Sequence, residues 1–475
     1  MGHGMLSMLE KAIRFIFAGK SVDRAASRAV FSYATELESG ERLEFSETLT
    51  FPFPAKSWDR IDPFALEAAL QSLQLVLGLS YWKAHCAPEM VLEDFSLTPE
   101  QAEFWNRVYT DGMGEFYFKN RIDFRGLVKF PSSPRRLERS RETSDQEISP
   151  LRRSAPSVEM TGVKKCLVPL GGGKDSLVTV ELLRAAGVEF DLFTLGTSLI
   201  QQRTAEVVGK NTLVVQRVLD SRLLELNQTG KVYNGHVPIT TVYVFAGVLS
   251  ALLGGYRYVV FSNERSASEG NLEYLGRTIN HQWSKSMEAE NLFADYVHAF
   301  ITSDVTPFSL LRPLSEYAIV ERFSHYPQYF PVFSSCNRNF VVGSIQPQAE
   351  RGAYWCGGCP KCAFVFSMLA AFLPKSEVVG IFGKDLFADA NLIRLFKDLL
   401  GRGTCKPFEC VGTPNEMAVA LNRIQSRGEY KDEPIMKYFV SEVMPTLNGI
   451  EHLEQELMAP AGIERLPKAF RGIYE

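Results

Sequence analysis

Val168-Pro169-Leu170-Gly171-Gly172-Gly173-Lys174-Asp175-Ser176-Leu177-Val178 is the stretch on which the reading of this chain turns. The apolar run 166–170 has the length of a short buried strand. Three glycines, an acid and a hydroxyl follow, and apolar residues then recur at helical spacing over 176–186. A strand, a glycine turn and a helix N-terminus together make an anion site. Glycines let backbone N–H groups come close to a phosphate, and the helix end adds favourable partial charge. The Walker form is excluded, because no Gly-Lys-Ser/Thr stands at the required spacing. Consecutive glycines also exclude the dinucleotide form.

Outward from this stretch, strands alternate with helices. Strands are expected at 166–170, 191–195, 212–218 and 258–262, with helices at 176–186, around 204–208 and at 239–253. Such alternation predicts an α/β fold with a doubly wound parallel sheet that binds ligand at the carboxyl ends of its strands. Upstream, residues 1–130 read as an N-terminal α+β region. Strand-like pieces within 31–53 flank the hairpin signal Ser39-Gly40, and helical patterns follow at 63–79 and 99–110. Residues 131–160 carry arginines among serine, proline and glutamate without apolar periodicity, which predicts a linker or surface loop. The main domain is expected over 161–375, and 376–475 should form a helical C-terminal cap.

At 475 residues the chain has room for about two or three domains. Its composition, 45% hydrophobic and 22% charged, is that of a globular protein. A net charge of −4 argues against a nucleic-acid partner, and acids interrupt the arginines of 131–160. No signal-peptide pattern is evident, and the longest apolar run, 242–253, is too short to span a bilayer. A cytoplasmic protein without a membrane partner is expected; the oligomeric state is not legible.

Among eight cysteines, Cys356, Cys359 and Cys362 fall within seven residues, and Cys336 lies twenty upstream. Thiolates at this spacing on glycine-containing turns can converge on one ion, so a closed structural zinc site is expected, with an iron–sulfur cluster as the alternative. Other polar islands interrupt apolar surroundings. Phe261 to Ala267 follows a strand and sets Asn263, Glu264 and Arg265 at the ligand-facing end of the sheet. Asn280 to Ser286 supplies His281 and Lys285. Arg312 to Glu316 and Lys406 to Thr413 complete the set; the latter contains Cys410. Each island taken singly is equally readable as a loop with internally satisfied polar groups.

The stretch 171–176 resembles the Ser-Gly-Gly-x-Asp-Ser loop of the PP-loop ATP pyrophosphatases, of the adenine nucleotide α-hydrolase-like fold. These enzymes cleave ATP between its α- and β-phosphates. The resemblance implies ATP binding by Gly171, Gly172, Gly173, Lys174, Asp175 and Ser176. Gly172, Gly173 and Ser176 would hold the pyrophosphate, and Asp175 would orient the loop or position Mg2+. Gly171 stands where the family usually has serine. Leu195 and Gly196, at the end of the next strand, would lie near the adenine.

Taken together, GGGKDS, VVFSNERSA, NHQWSKS, RPLSE, CGGCPKC and KPFECVGT are similar to the UDP-N-acetylmuramoyl-L-alanyl-L-glutamate epimerase family. The resemblance implies ATP- and Mg2+-dependent inversion of the terminal L-Glu of a UDP-muramoyl dipeptide through an acyl-adenylate, in peptidoglycan precursor synthesis. Inversion is simplest with a base on one face of the α-carbon and an acid on the other. Candidates are His281, Lys285, Glu264 and Cys410, with the pair unassigned. For the polyanionic substrate, Asn263, Arg265, Arg277 and Arg312 are candidate binding residues. Alternatives are another adenylating enzyme that ends in amidation, nitrile formation or tRNA thiolation, and a non-enzymatic zinc-knuckle binding protein.

Overall fold

The computed structural model describes residues 10–133, 165–339 and 354–474. The expected linker therefore falls almost wholly outside the described residues. Strands are β1 (Ala12–Asp23), β2 (Arg28–Leu37), β3 (Arg42–Thr50), β4 (Glu89–Leu92), β5 (Cys166–Pro169), β6 (Phe190–Leu195), β7 (Thr212–Val218), β8 (Tyr258–Phe261), β9 (Leu272–Tyr274), β10 (Arg277–Ile279) and β11 (Thr306–Ser309). Nine of them form one sheet in the order β11-β8-β5-β6-β7-β3-β2-β1-β4, and β9 pairs with β10 alone.

The run β11-β8-β5-β6-β7 is parallel throughout. Its residues alternate between two cores, as a period of two demands. Leu167, Phe193 and Val259 enter the core shared with the helices Pro63–Trp82 and Ile239–Gly254, whereas Cys166, Val168, Leu192 and Val260 enter the core on the other face. Helix Lys174–Ala185 belongs to that second core and packs against helix Glu316–Phe323. Both faces are covered, which is why these strands read as continuous apolar runs.

The N-terminal strands are not a separate sheet. β1, β2 and β3 form an antiparallel meander that joins the parallel part through β3 and β7, with Thr48 opposite Val218 and Thr50 opposite Gln216. The fully parallel sheet expected from sequence is thus a mixed one, and no break in the sheet follows residue 130. Arg217 and the fully buried Glu47 form an ion pair at this seam. Strands paired at such separation leave no local signal in the sequence.

Locally the expectations and the fold agree closely. The Ser39-Gly40 turn joins β2 to β3, and the helix over 176–186 begins two residues earlier, at Lys174. The helix around 204–208 extends back to Leu199, because Ser198 and Gln201 form a reciprocal capping box. Residues from Lys375 onward are mainly short helices. Among the described residues, no helix is long and apolar enough to cross a membrane.

Candidate active site

The parallel strands deliver their loops to one end of the sheet. Gly171, Gly172 and Gly173 follow β5, Leu195 and Gly196 end β6, and Asn263, Glu264 and Arg265 follow β8. Gly172 has φ +80°, and a Cβ there would lie 2.6 Å from Ile200 Cγ2, so this turn requires glycine. The Gly172 carbonyl accepts a bond of 3.1 Å from Ser334 N, which ties the loop to the segment that carries Cys336. At Gly171 nothing among the described residues lies within 4 Å of an added Cβ, so there is room beside them for the serine usual in the resembling family. Ser176 Oγ donates to Gly173 O at 3.0 Å.

Lys174 is fully buried, and its ammonium pairs with both Asp175 and Glu316. It therefore braces the loop from within. Burial alone would raise Asp175, yet Lys174, Lys361 and Lys285 bring it below its ordinary value. The opposite holds for Glu316, which burial and the neighbouring carboxylates push up to about 7. Glu264 is raised by burial and by Asp175, and its Oε1 has no hydrogen-bond partner among the described residues. An ionisable oxygen left buried and unpaired is costly unless a ligand satisfies it.

Beyond this carboxylate–lysine group lies Cys410. Lys285 Nζ stands 3.3 Å from its sulfur, His281 hydrogen-bonds to the sulfur, and the Lys361 ammonium bonds the Cys410 carbonyl. Burial opposes ionisation, but Lys285, His281 and Lys361 together hold the thiol well below its ordinary value. His281 in turn is raised to about 9: burial works against its charge, and bonds to Cys410 and Glu115 overcome it. The sulfur thus lies between an imidazole and a lysine, both of which favour its thiolate form.

All four catalytic candidates thus belong to one connected cluster with Asp175. The substrate-binding candidates do not gather in the same way. Arg265 lines a cavity of about 380 Å3 with Ser266, Ser268, Glu269 and Thr413. Asn263 is turned inward and donates to Ser309 Oγ at 2.9 Å. Arg277 is exposed and pairs with Asp111 at 2.7 Å. Arg312, expected as an anion clamp, has another place: its guanidinium is buried and bonds Glu264 O (2.6 Å), Lys285 O (2.8 Å) and Glu290 Oε2 (2.6 Å). It pins the two islands that carry Glu264 and Lys285.

Several residues of the cluster were not singled out by sequence reasoning. Glu316 and Lys361 lie inside quoted motifs, but the chemistry attributed to those motifs was different. Glu416 accepts from Glu316 N (2.8 Å) and Thr413 N (2.7 Å), and its only sequence signal is the capping box Thr413-x-x-Glu416. Glu115 and His236 gave no signal at all.

Cys336, Cys356, Cys359 and Cys362 converge, with all four sulfurs within 4.8 Å of one another. The Cys359–Cys362 and Cys356–Cys362 separations are 3.4 and 3.6 Å. Zn–S bonds of about 2.3 Å in a tetrahedron put thiolates about 3.8 Å apart, so one ion fits this set, whereas a cluster of several irons needs wider spacing. The knuckle opens helix Pro360–Ala370, on which Lys361 reaches back to Cys410.

Fold and site together define an α/β protein whose parallel strands bring a thiol, an imidazole, lysines and carboxylates to one end of the sheet, beside a four-cysteine knuckle. The MurL N-terminal domain family matches residues 7–310, and the MurL C-terminal domain family matches 332–454. The chain belongs to the MurL family. It is 37% identical over 456 residues, 96% of its own length and 95% of the relative's, to the UDP-N-acetyl-alpha-D-muramoyl-L-alanyl-L-glutamate epimerase of Xanthomonas oryzae pv. oryzae. It is also 35% identical, over 97% of this chain and 98% of the relative, to the protein of the same name from Micromonospora sp.. The Salinispora tropica protein of that name is 34% identical over 92% of this chain and 90% of its own.

Proposed function

We propose that the protein inverts the terminal L-Glu of UDP-MurNAc-L-Ala-L-Glu to D-Glu, cleaving ATP to AMP and pyrophosphate. The observation that carries this reading is the continuity of one buried polar cluster from the Gly171–Ser176 loop to Cys410. Activation and proton transfer require two sets of groups within reach of one substrate. A Cα–H beside a carboxylate is very weakly acidic, because deprotonation places a second negative charge next to the first. Adenylation of that carboxylate removes the charge and makes the carbonyl an electron sink.

In this reading, the backbone of Gly172 and Gly173 and the Ser176 hydroxyl cradle the phosphates of ATP, and Leu195 and Gly196 flank the base. Asp175 offers the hard oxygens that suit Mg2+, which would neutralise phosphate charge. Cys410, held as a thiolate, takes the α-proton. Return of a proton to the opposite face needs a second, acidic group. Glu264, raised by burial and carrying an unpartnered oxygen, has that chemistry. Hydrolysis of the adenylate then releases AMP. Arg265, beside its cavity, is the substrate-binding candidate left free of a buried partner.

The test is incubation with ATP, Mg2+ and the UDP-muramoyl dipeptide, followed by chiral analysis of glutamate after acid hydrolysis. D-Glu should accumulate in step with AMP. AMP release with glutamate remaining entirely L would instead identify another adenylating enzyme.

The cysteine set holds one structural zinc ion in this reading, as its separations support. Elemental analysis should find about one zinc per chain. Cys359→Ser should lose most of it and lower Tm by several degrees, because the knuckle anchors Lys361 and the loop segment. Full zinc content in that variant would remove the assignment.

A further inference from the structure

Glu115, on helix Gly114–Asn120, lies far in sequence from the rest of the cluster, yet its carboxylate meets His281 directly. The contact is built. Gly114 lets the helix sit against β10, where a Cβ would come within 3.1 Å of Ile279. Lys119, one turn on, pairs with Glu115 Oε1. His236 Nδ1 stands 3.4 Å from Glu115 Oε2, and its ring lies 4.8 Å from that of His281. The turn before His236 is fixed in its turn: buried Lys83 donates to Asn234 Oδ1 (3.2 Å) and Gly235 O (2.8 Å), and Asn120 donates to Asn234 O (3.2 Å). So two segments of the N-terminal half, those that carry Glu115 and His236, converge on one imidazole, and Lys83 braces the second of them.

We propose that Glu115 is a positioning residue for Cys410: its carboxylate, anchored by Lys119 and flanked by His236, holds His281 against the sulfur as the charged partner of a thiolate. This gives the N-terminal helices a part in the chemistry. It deepens the reading above, and its role in turnover rests on that reading, but its effect on Cys410 exists in the resting protein.

The groups around the pair are consistent with the assignment. His281 faces Glu115, His236 and Cys410, with Glu409 further off. Cys410 faces Lys285, His281 and Lys361. Burial and the charge of His281 depress His236 to about 3, so it stays neutral and leaves the charge on His281. Glu115 falls to about 2: burial opposes this, but the bond to His281 and the charges around it prevail. A carboxylate that stays ionised throughout the working range is what a permanent partner of an imidazolium must be.

The experiment is alkylation of Cys410 by iodoacetamide in the full-length protein without substrate, mapped by mass spectrometry across pH. In Glu115→Gln the pH profile of Cys410 alkylation should move up by about one unit. That is about a tenfold loss of rate on its acid limb. Glu115→Asp should recover most of the loss. Lys119→Ala, which leaves the carboxylate in place, should give a smaller shift of the same sign, and it serves if Glu115→Gln fails to fold. With substrate, the kcat profile should shift in the same direction while KM changes little. An unchanged alkylation profile in folded Glu115→Gln or in Lys119→Ala would overturn the proposal. So would a bound metal ion outside the cysteine knuckle that is lost on Glu115→Gln, since it would make Glu115, His236 and His281 ligands. If no epimerase activity is found but the alkylation profile shifts, the positioning stands and the reaction assignment alone falls.

Discussion

Asp175→Asn should lower AMP and pyrophosphate release by about a thousandfold while the protein remains folded. Asp175 opens the helix that follows the glycine turn, and three lysine ammoniums bear on it. In the proposed reaction its negative charge positions the divalent cation beside the phosphates. Losses of about two to three orders of magnitude are typical when one preorganised electrostatic contact to a developing charge is removed. The substitution also takes one of two carboxylates from the buried Lys174 ammonium. Glu316 remains as its partner, so Tm should fall without loss of the fold. The measurement is single-turnover AMP formation with the muramoyl dipeptide, with circular dichroism as a folding control. Turnover within tenfold of wild type would remove the loop from the mechanism.

Cys410→Ser should act differently. It leaves the loop untouched, so AMP formation should persist within about tenfold, but inversion and exchange of the α-hydrogen with deuterated solvent should fall by about a thousandfold, the scale of a lost general base. A serine hydroxyl is not ionised by Lys285 and His281 to a useful degree. The pair of variants therefore separates activation from inversion: the first loses both, the second only the latter. Undiminished solvent exchange in Cys410→Ser would hand the base to another member of the cluster. The wild-type pH profile carries a further sign. His281 is raised to about 9 in the fold, above its ordinary 6.5, so the charge that supports the thiolate is complete below 6.5. It is lost as pH rises through about 9, and the alkaline limb of kcat should fall there.

Arg312 and Glu115 show from opposite sides why the candidate site was only partly legible. Arg312 has the charge and position expected of an anion clamp, but its three hydrogen bonds to Glu264, Lys285 and Glu290 are a property of packing. No residue type declares it. Glu115 follows an ordinary amphipathic helix and becomes part of the site only because Gly114 lets its helix lie on β10. Cys410 is intermediate: its motif marked it as a candidate, and whether it was a tuned thiol or a structural cysteine depended on cations from elsewhere in the chain.

What the sequence by itself determined is local. The apolar run, the glycine turn and the helix start specify the β5 turn because φ +80° at Gly172 admits little else. The strand and helix periods specify the parallel core. The spacing of Cys356, Cys359 and Cys362 specifies a knuckle, and the combined motifs specify the family. The tertiary structure decided the rest. Pairing of β3 with β7 merged the N-terminal meander into the same sheet, since hydrogen-bonding edges carry no record of their partner's sequence. Burial then fixed the charges: carboxylates, lysines and a thiol take their protonation from neighbours that only folding brings within reach.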